Sequence, residues 1–229
     1  MHNEYVLSPA NELIYVKDMT DIIDFASINT EFNKLSFVNN QFNEISLGLT
    51  FFDNNIFENT KKLLELECET YLNECYNIKD MYDSITITNS WGNKTKPKQS
   101  HHEHTHPLSV VSGIIYLDNN VDNLNLNFVL QNRGAEIPYF IEQDKEAHMS
   151  LKTILEMAGH NPTIDNNLKN HLILFLSNLK HHVTPTPNNS LPRKSISFNT
   201  FWKGMIGKKD NPLGSLSFDQ LSVLPEHKI

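Results

Sequence analysis

Residues 101 to 106 read His-His-Glu-His-Thr-His and run straight into the apolar stretch "PLSVVSGIIYL", residues 107 to 117. Side chains alternate across a strand, so His102, His104 and His106 are expected on one face, with His101, Glu103 and Thr105 on the other. Imidazoles two residues apart on one face can grip a single divalent metal. Pro107 ends or bends that strand, and the apolar run behind it places the imidazoles at the mouth of a core. A solvated edge without a fixed ligand would read the same way, so a distant partner has to decide. Residues 172 to 202 supply one. A buried apolar strand there runs into His181, a Pro-Asn-Asn-Ser turn reverses the chain, and a new strand opens with Arg193 followed by Ser195 and Ser197. A guanidinium stays charged and offers a planar fork to a carboxylate, so Arg193 in the same mouth points to an anionic small ligand beside a metal.

This order, His-x-His, a long gap, His, a short gap, then Arg-x-Ser, resembles that of the iron(II)- and 2-oxoglutarate-dependent oxygenases, in particular a family common in marine phages and some bacteria. The segments "SWGN", "HTHPLSVVSGIIYL", "LFLSNLKHHV", "RKSISFNTFWKG" and "GSLSF" carry the resemblance, which spans roughly residues 85 to 220. It implies a double-stranded β-helix, the cupin-like jelly roll, with flanking helices. It also implies His104 and His106 as paired Fe(II) ligands, His181 as the distal ligand, and Arg193 with Ser195 on the distal carboxylate of 2-oxoglutarate. Tyr116 could donate its hydroxyl to that co-substrate or serve as a core residue with a polar tip. The implied reaction consumes 2-oxoglutarate and oxygen, releases succinate and hydroxylates a further substrate that the sequence does not name.

Two departures from the family pattern stand out. Where the wider superfamily carries Asp or Glu as second ligand, this chain has His106, and three neutral imidazoles leave Fe(II) its full double charge for a dianion to offset. Zn also suits three imidazoles. The alternative pair His101 and Glu103 would restore a carboxylate, but only the 104/106 register fits the following "HPLSVVSG". The second departure, Leu176 in place of a proline, touches a turn.

The elements that must position these groups form a mainly β pattern. From Tyr82 onward, short runs of β-branched, Leu and aromatic residues alternate with Asn, Pro, Gly and Lys punctuation, as in a sandwich or barrel. Upstream, "NIFENTKKLLELECETYLNECYNI" repeats Ile56, Leu63, Leu64, Cys68, Leu72 and Cys75 at helical spacing and predicts one long flanking helix. Residues 1 to 50 read as irregular structure with short strands and one short helix. A helical piece ending near Gly159 lies in an insertion around residues 141 to 170, which with the N-terminal region is where substrate contacts are expected. Asn125 and Asn127 make one strand face polar, either toward solvent or toward the cavity. Trp91 and Trp202 read as packing anchors, Asn93 as an entrance residue and residues 94 to 98 as a solvated loop.

The 229 residues are expected to form a single domain: an N-terminal segment and flanking helix (1–80), a jelly-roll core (81–203), and a tail (204–229) that packs outside the barrel or serves a homodimer contact. A net charge of −8 argues against a nucleic-acid backbone as the main partner. Two cysteines on one helix face imply reduced thiols, and no stretch is long and apolar enough to span a membrane, so a cytoplasmic protein is expected, in the host cell if phage-encoded. A non-catalytic metal-binding jelly roll is the competing reading.

Overall fold

The computed structural model describes residues 4–7, 12–118, 124–131, 146–160, 168–185, 191–207 and 216–218. Among these residues thirteen strands and three α-helices follow one another in the order β1 (Glu4–Leu7), β2 (Ile14–Asp18), α1 (Phe25–Phe32), β3 (Phe37–Asn40), β4 (Asn43–Ser46), α2 (Glu58–Tyr76), β5 (Tyr82–Thr95), β6 (His101–His104), β7 (Val111–Tyr116), β8 (Leu126–Gln131), β9 (Glu146–Ser150), α3 (Leu151–Met157), β10 (His171–Leu176), β11 (His181–Val183), β12 (Arg193–Ile206) and β13 (Leu216–Phe218). They make two sheets. The major sheet runs β1-β2-β10-β7-β12-β5-β4-β3 with β13 on β12, and the minor sheet runs β6-β11-β8-β9. All strand pairs within them are antiparallel. This is a double-stranded β-helix.

The major sheet is buried on both faces, which is why β10 reads as an unbroken apolar run. Leu172 and Leu174 join Ile196, Phe198, Leu64, Cys68, Tyr71 and Phe52 on the side of α1 and α2, whereas Ile173 and Phe175 join Tyr116, Leu126 and Phe128 on the side of the minor sheet. Helix α2 presents Leu64, Cys68, Tyr71 and Leu72 to this core, and both cysteines are free thiols. Ile56, expected on that buried stripe, is 57% exposed, because the helix begins only at Glu58 and Ile56 belongs to a separate short turn before it. Helix α1 is the short N-terminal helix. Its start is set by the Asp24 carboxylate, which accepts from the Ala26 and Ser27 amides. Helix α3 ends where Gly159 adopts a φ of +84°. Most of the expected tail and residues 141–145 and 161–167 of the insertion lie outside the described residues, but β13 pairs with β12 through Gly204↔Phe218. Among the described residues no helix is long and apolar enough to cross a membrane.

The close approach of β7 and β12 depends on one glycine. Gly113 lies opposite Phe198, and a methyl group added at Gly113 would overlap the Phe198 ring, which is fully buried. Gly113→Ala is therefore expected to lower stability by about 1–3 kcal/mol through overpacking. For a chain of this size that is a fall in melting temperature of several degrees. An unchanged thermal melt would show that the ring has room to move.

Candidate active site

The long strand β12 carries groups that could bind an anion. Its alternation sends Ile196 and Phe198 toward the helices, while Arg193, Ser195 and Ser197 line a cavity between the two sheets. Arg193 is 5% exposed and Ser195 4%. The Arg193 Nη2 donates to Thr95 Oγ1 at 3.4 Å on the paired strand β5, and the guanidinium carbon lies 5.8 Å from the centroid of the Tyr116 ring. Tyr116 pairs with Ser195 across β7 and β12 and is itself buried. Burial pushes its hydroxyl up to about 12 against the lowering effect of Arg193, so it stays protonated at neutral pH and can donate.

The groups that could hold a metal ion come from the minor sheet and the residues just after β6. His104 ends β6 and pairs in register with His181, which begins β11; His106 follows two residues later and its backbone amide donates to Ser177 O at 2.9 Å. One ring nitrogen from each of His104, His106 and His181 lies within 4.8 Å of the other two. The tautomers follow from carbonyl neighbours, which can only accept. His104 Nδ1 is 2.8 Å from His102 O and His181 Nδ1 is 2.9 Å from Leu179 O, so both protons sit on Nδ1 and both Nε2 atoms carry a lone pair. The Nε2 atoms of His106 and His181 stand 3.3 Å apart. Ligands bound at about 2.1 Å are separated by about 3.0 to 3.4 Å in octahedral or tetrahedral geometry, so this donor set fits a divalent ion. All these residues line the same cavity as Arg193, Ser195 and Tyr116, and no Asp or Glu is among its described lining residues.

The expected face pattern needs one correction. His101, not His102, shares the cavity with His104, and their ring centroids are 4.3 Å apart. Between the pairs His181↔His104 and Val183↔His101, β6 advances three residues while β11 advances two. This β-bulge breaks strict alternation and exchanges the two histidines. Glu103 is turned to the outer face, where Lys180 Nζ meets its Oε1 at 3.1 Å, so the alternative His101/Glu103 pair does not form. Asn125 and Asn127 do not line the cavity; Leu126 does, and Asn127 Nδ2 donates to Asn125 O at 2.7 Å. Trp91 is more than a packing anchor, since it lines the cavity 6.0 Å from the His106 ring, next to Asn93. Trp202 does pack as an anchor, against Tyr82. Thr95 was not singled out from the sequence, and His101 was weighed there only as half of the alternative pair with Glu103.

Burial lowers the basicity of every cavity imidazole, and neighbouring rings add to the effect. His101 and His106 are pushed down to about 4, His181 well below its ordinary value, and His104 below it. Because the folded values lie under the unfolded 6.5, the unfolded chain takes up protons first as pH falls. The metal-free protein should hold this stability above pH 6.5 and lose it progressively between 6.5 and about 4. Thermal melts across that window check it, with a shallower fall expected for His101→Ala; a flat profile would contradict it.

The fold is that of the jelly-roll class, and its cavity gathers three imidazoles, a guanidinium and a buried tyrosine. Residues 89–199 match a family described as "Putative 2OG-Fe(II) oxygenase", and the match indicates an enzyme that uses Fe(II) as cofactor and 2-oxoglutarate as co-substrate. No protein of curated function matches the sequence. Among solved structures, a Pseudomonas putida prolyl-4-hydroxylase is similar at 13% identity, with 89% of this chain and 93% of that one covered and a TM-score of 0.50. The epimerase SnoN of nogalamycin biosynthesis, solved with Fe3+, alpha ketoglutarate and nogalamycin RO, is similar at 9% identity, with 93% and 89% covered and a TM-score of 0.54. At these identities the likeness is one of fold.

Proposed function

We propose that the chain is a hydroxylase in which His104, His106 and His181 hold Fe(II) while Arg193, Ser195 and Tyr116 hold the distal carboxylate of 2-oxoglutarate. The carrying observation is the convergence of three neutral imidazoles and a buried guanidinium on one cavity whose described lining has no carboxylate. Such a cavity leaves the ion's double charge and the arginine's single charge to be offset by a dicarboxylate ligand. When bound, iron and 2-oxoglutarate supply the oxidative decarboxylation to succinate and carbon dioxide, with one oxygen atom passing to a C–H bond of the substrate.

The protein's own contribution is binding and orientation. Leu179 and His102 carbonyls fix two imidazole rings with Nε2 turned inward. The guanidinium donates to Thr95 and faces the Tyr116 ring at 5.8 Å, and the Ser195 and Tyr116 hydroxyls can donate beside it. Phe175, Phe128 and Leu126 wall the His181 side and keep bulk water from it. Adding Fe(II) and 2-oxoglutarate to the anaerobic protein should give a visible charge-transfer band, and admitting oxygen should release succinate. A protein that binds Zn tightly and ignores 2-oxoglutarate would end this reading.

A further inference from the structure

Strand alternation gives β6 and β11 a second face. Glu103 precedes His104 and His182 follows His181, so each strand that turns an imidazole into the cavity turns its neighbour onto the outside of the minor sheet. There the two meet His148 of β9. One ligand atom from each of Glu103, His148 and His182 lies within 4.8 Å of the other two. His148 Nδ1 stands 3.9 Å from Glu103 Oε2, and the His148 and His182 rings meet edge to face with centroids 5.2 Å apart. His182 Nδ1 is buried without a hydrogen-bond partner among the described residues, an uncompensated polar atom that a bound cation would satisfy.

We propose that Glu103, His148 and His182 form a second metal site, for a divalent ion of the Zn2+ class, back to back with the iron site on the same two strands. Two imidazoles and a carboxylate are a borderline donor set that suits Zn2+, Co2+ or Ni2+, with water completing the coordination. A tetrahedral ion with bonds of about 2.1 Å needs donors about 3.4 Å apart, so side-chain shifts of about 1 Å close the site. Lys180 holds the other carboxylate oxygen of Glu103 and repels a cation, which makes this site the weaker of the two. An ion here ties β6, β11 and β9 together from outside. It thereby steadies the strand whose first residue is the cavity ligand His181.

The inference does not depend on the iron reading, and one set of titrations separates them. The full-length metal-free protein is titrated with Co2+ and followed by its visible bands and by metal analysis. Wild type should bind two equivalents. His148→Ala and Glu103→Gln, at side chains 48% and 36% exposed where folding is not at stake, should each weaken the second equivalent by about tenfold or more and leave the first. His106→Ala should lose the first and keep the second, and the His106→Ala/His148→Ala protein should bind neither. Two equivalents in His148→Ala and Glu103→Gln at wild-type affinity would overturn the second site. So would a wild-type protein whose only equivalent disappears in His106→Ala. Failure of His106→Ala to lose an equivalent would instead count against the iron assignment.

Discussion

Arg193→Ala is expected to weaken 2-oxoglutarate binding by roughly 30-fold to several thousandfold, the equivalent of about 2–5 kcal/mol for truncating one partner of a buried, hydrogen-bonded charge pair. The residue is 5% exposed, so a carboxylate that reaches it is removed from water and needs the full compensation of a cation. Iron binding should be unaffected, because the ion is assigned to His104 and His181 of the minor sheet and to His106 just beyond it, while the guanidinium belongs to β12 of the major sheet. Anaerobic titration of the charge-transfer band reads the two effects separately: the band should form only at much higher 2-oxoglutarate, with metal content at the wild-type level. Arg193→Lys should fall between wild type and Arg193→Ala, since an ammonium keeps the charge but not the planar fork that donates to Thr95 beside the Tyr116 ring. Unchanged 2-oxoglutarate affinity in Arg193→Ala would remove this residue from the co-substrate site.

Where the sequence was informative, the local pattern and the tertiary arrangement agree. Helix α2 shows its buried stripe because Leu64, Cys68 and Leu72 recur at a period that only a helix satisfies. The Arg193, Ser195, Ser197 row is readable because β12 runs regularly past the cavity, so a period of two in the sequence is a period of two in space. The same rule misassigned His101 and His102, because a bulge is a property of two strands in register and leaves no mark on β6 alone. Thr95 escaped notice for a similar reason: it matters only because it lies opposite Arg193, 98 residues away. Glu103, His148 and His182 come from three strands of the minor sheet, and no spacing within the chain announces their meeting. The resemblance to the oxygenases supplied what periodicity could not, namely that the imidazoles before Pro107 and the one after Lys180 belong together.

His181→Ala is the substitution expected to separate a metal ligand from a packed core histidine. Its ring is 4% exposed and wedged against Phe175 at 4.7 Å and Phe128 at 6.5 Å, so a merely structural role would also make its loss costly. The two roles differ in what the metal does afterwards. A ligand that binds the folded state raises its melting temperature in proportion to occupancy. Wild type should therefore melt higher with Fe(II) or Co2+ present, whereas His181→Ala should melt lower than wild type without metal and gain little on its addition. Losing one of three imidazoles should weaken the cavity ion by more than about 100-fold, exceeding the effect expected of an outer-shell change. His102→Ala is the control, since its side chain lies outside the cavity and the carbonyl that fixes His104 is backbone. That variant should retain iron and the metal-dependent rise in melting temperature. If His181→Ala also retained them, its Nε2, which faces His106 at 3.3 Å, would be holding a hydrogen bond and not an ion.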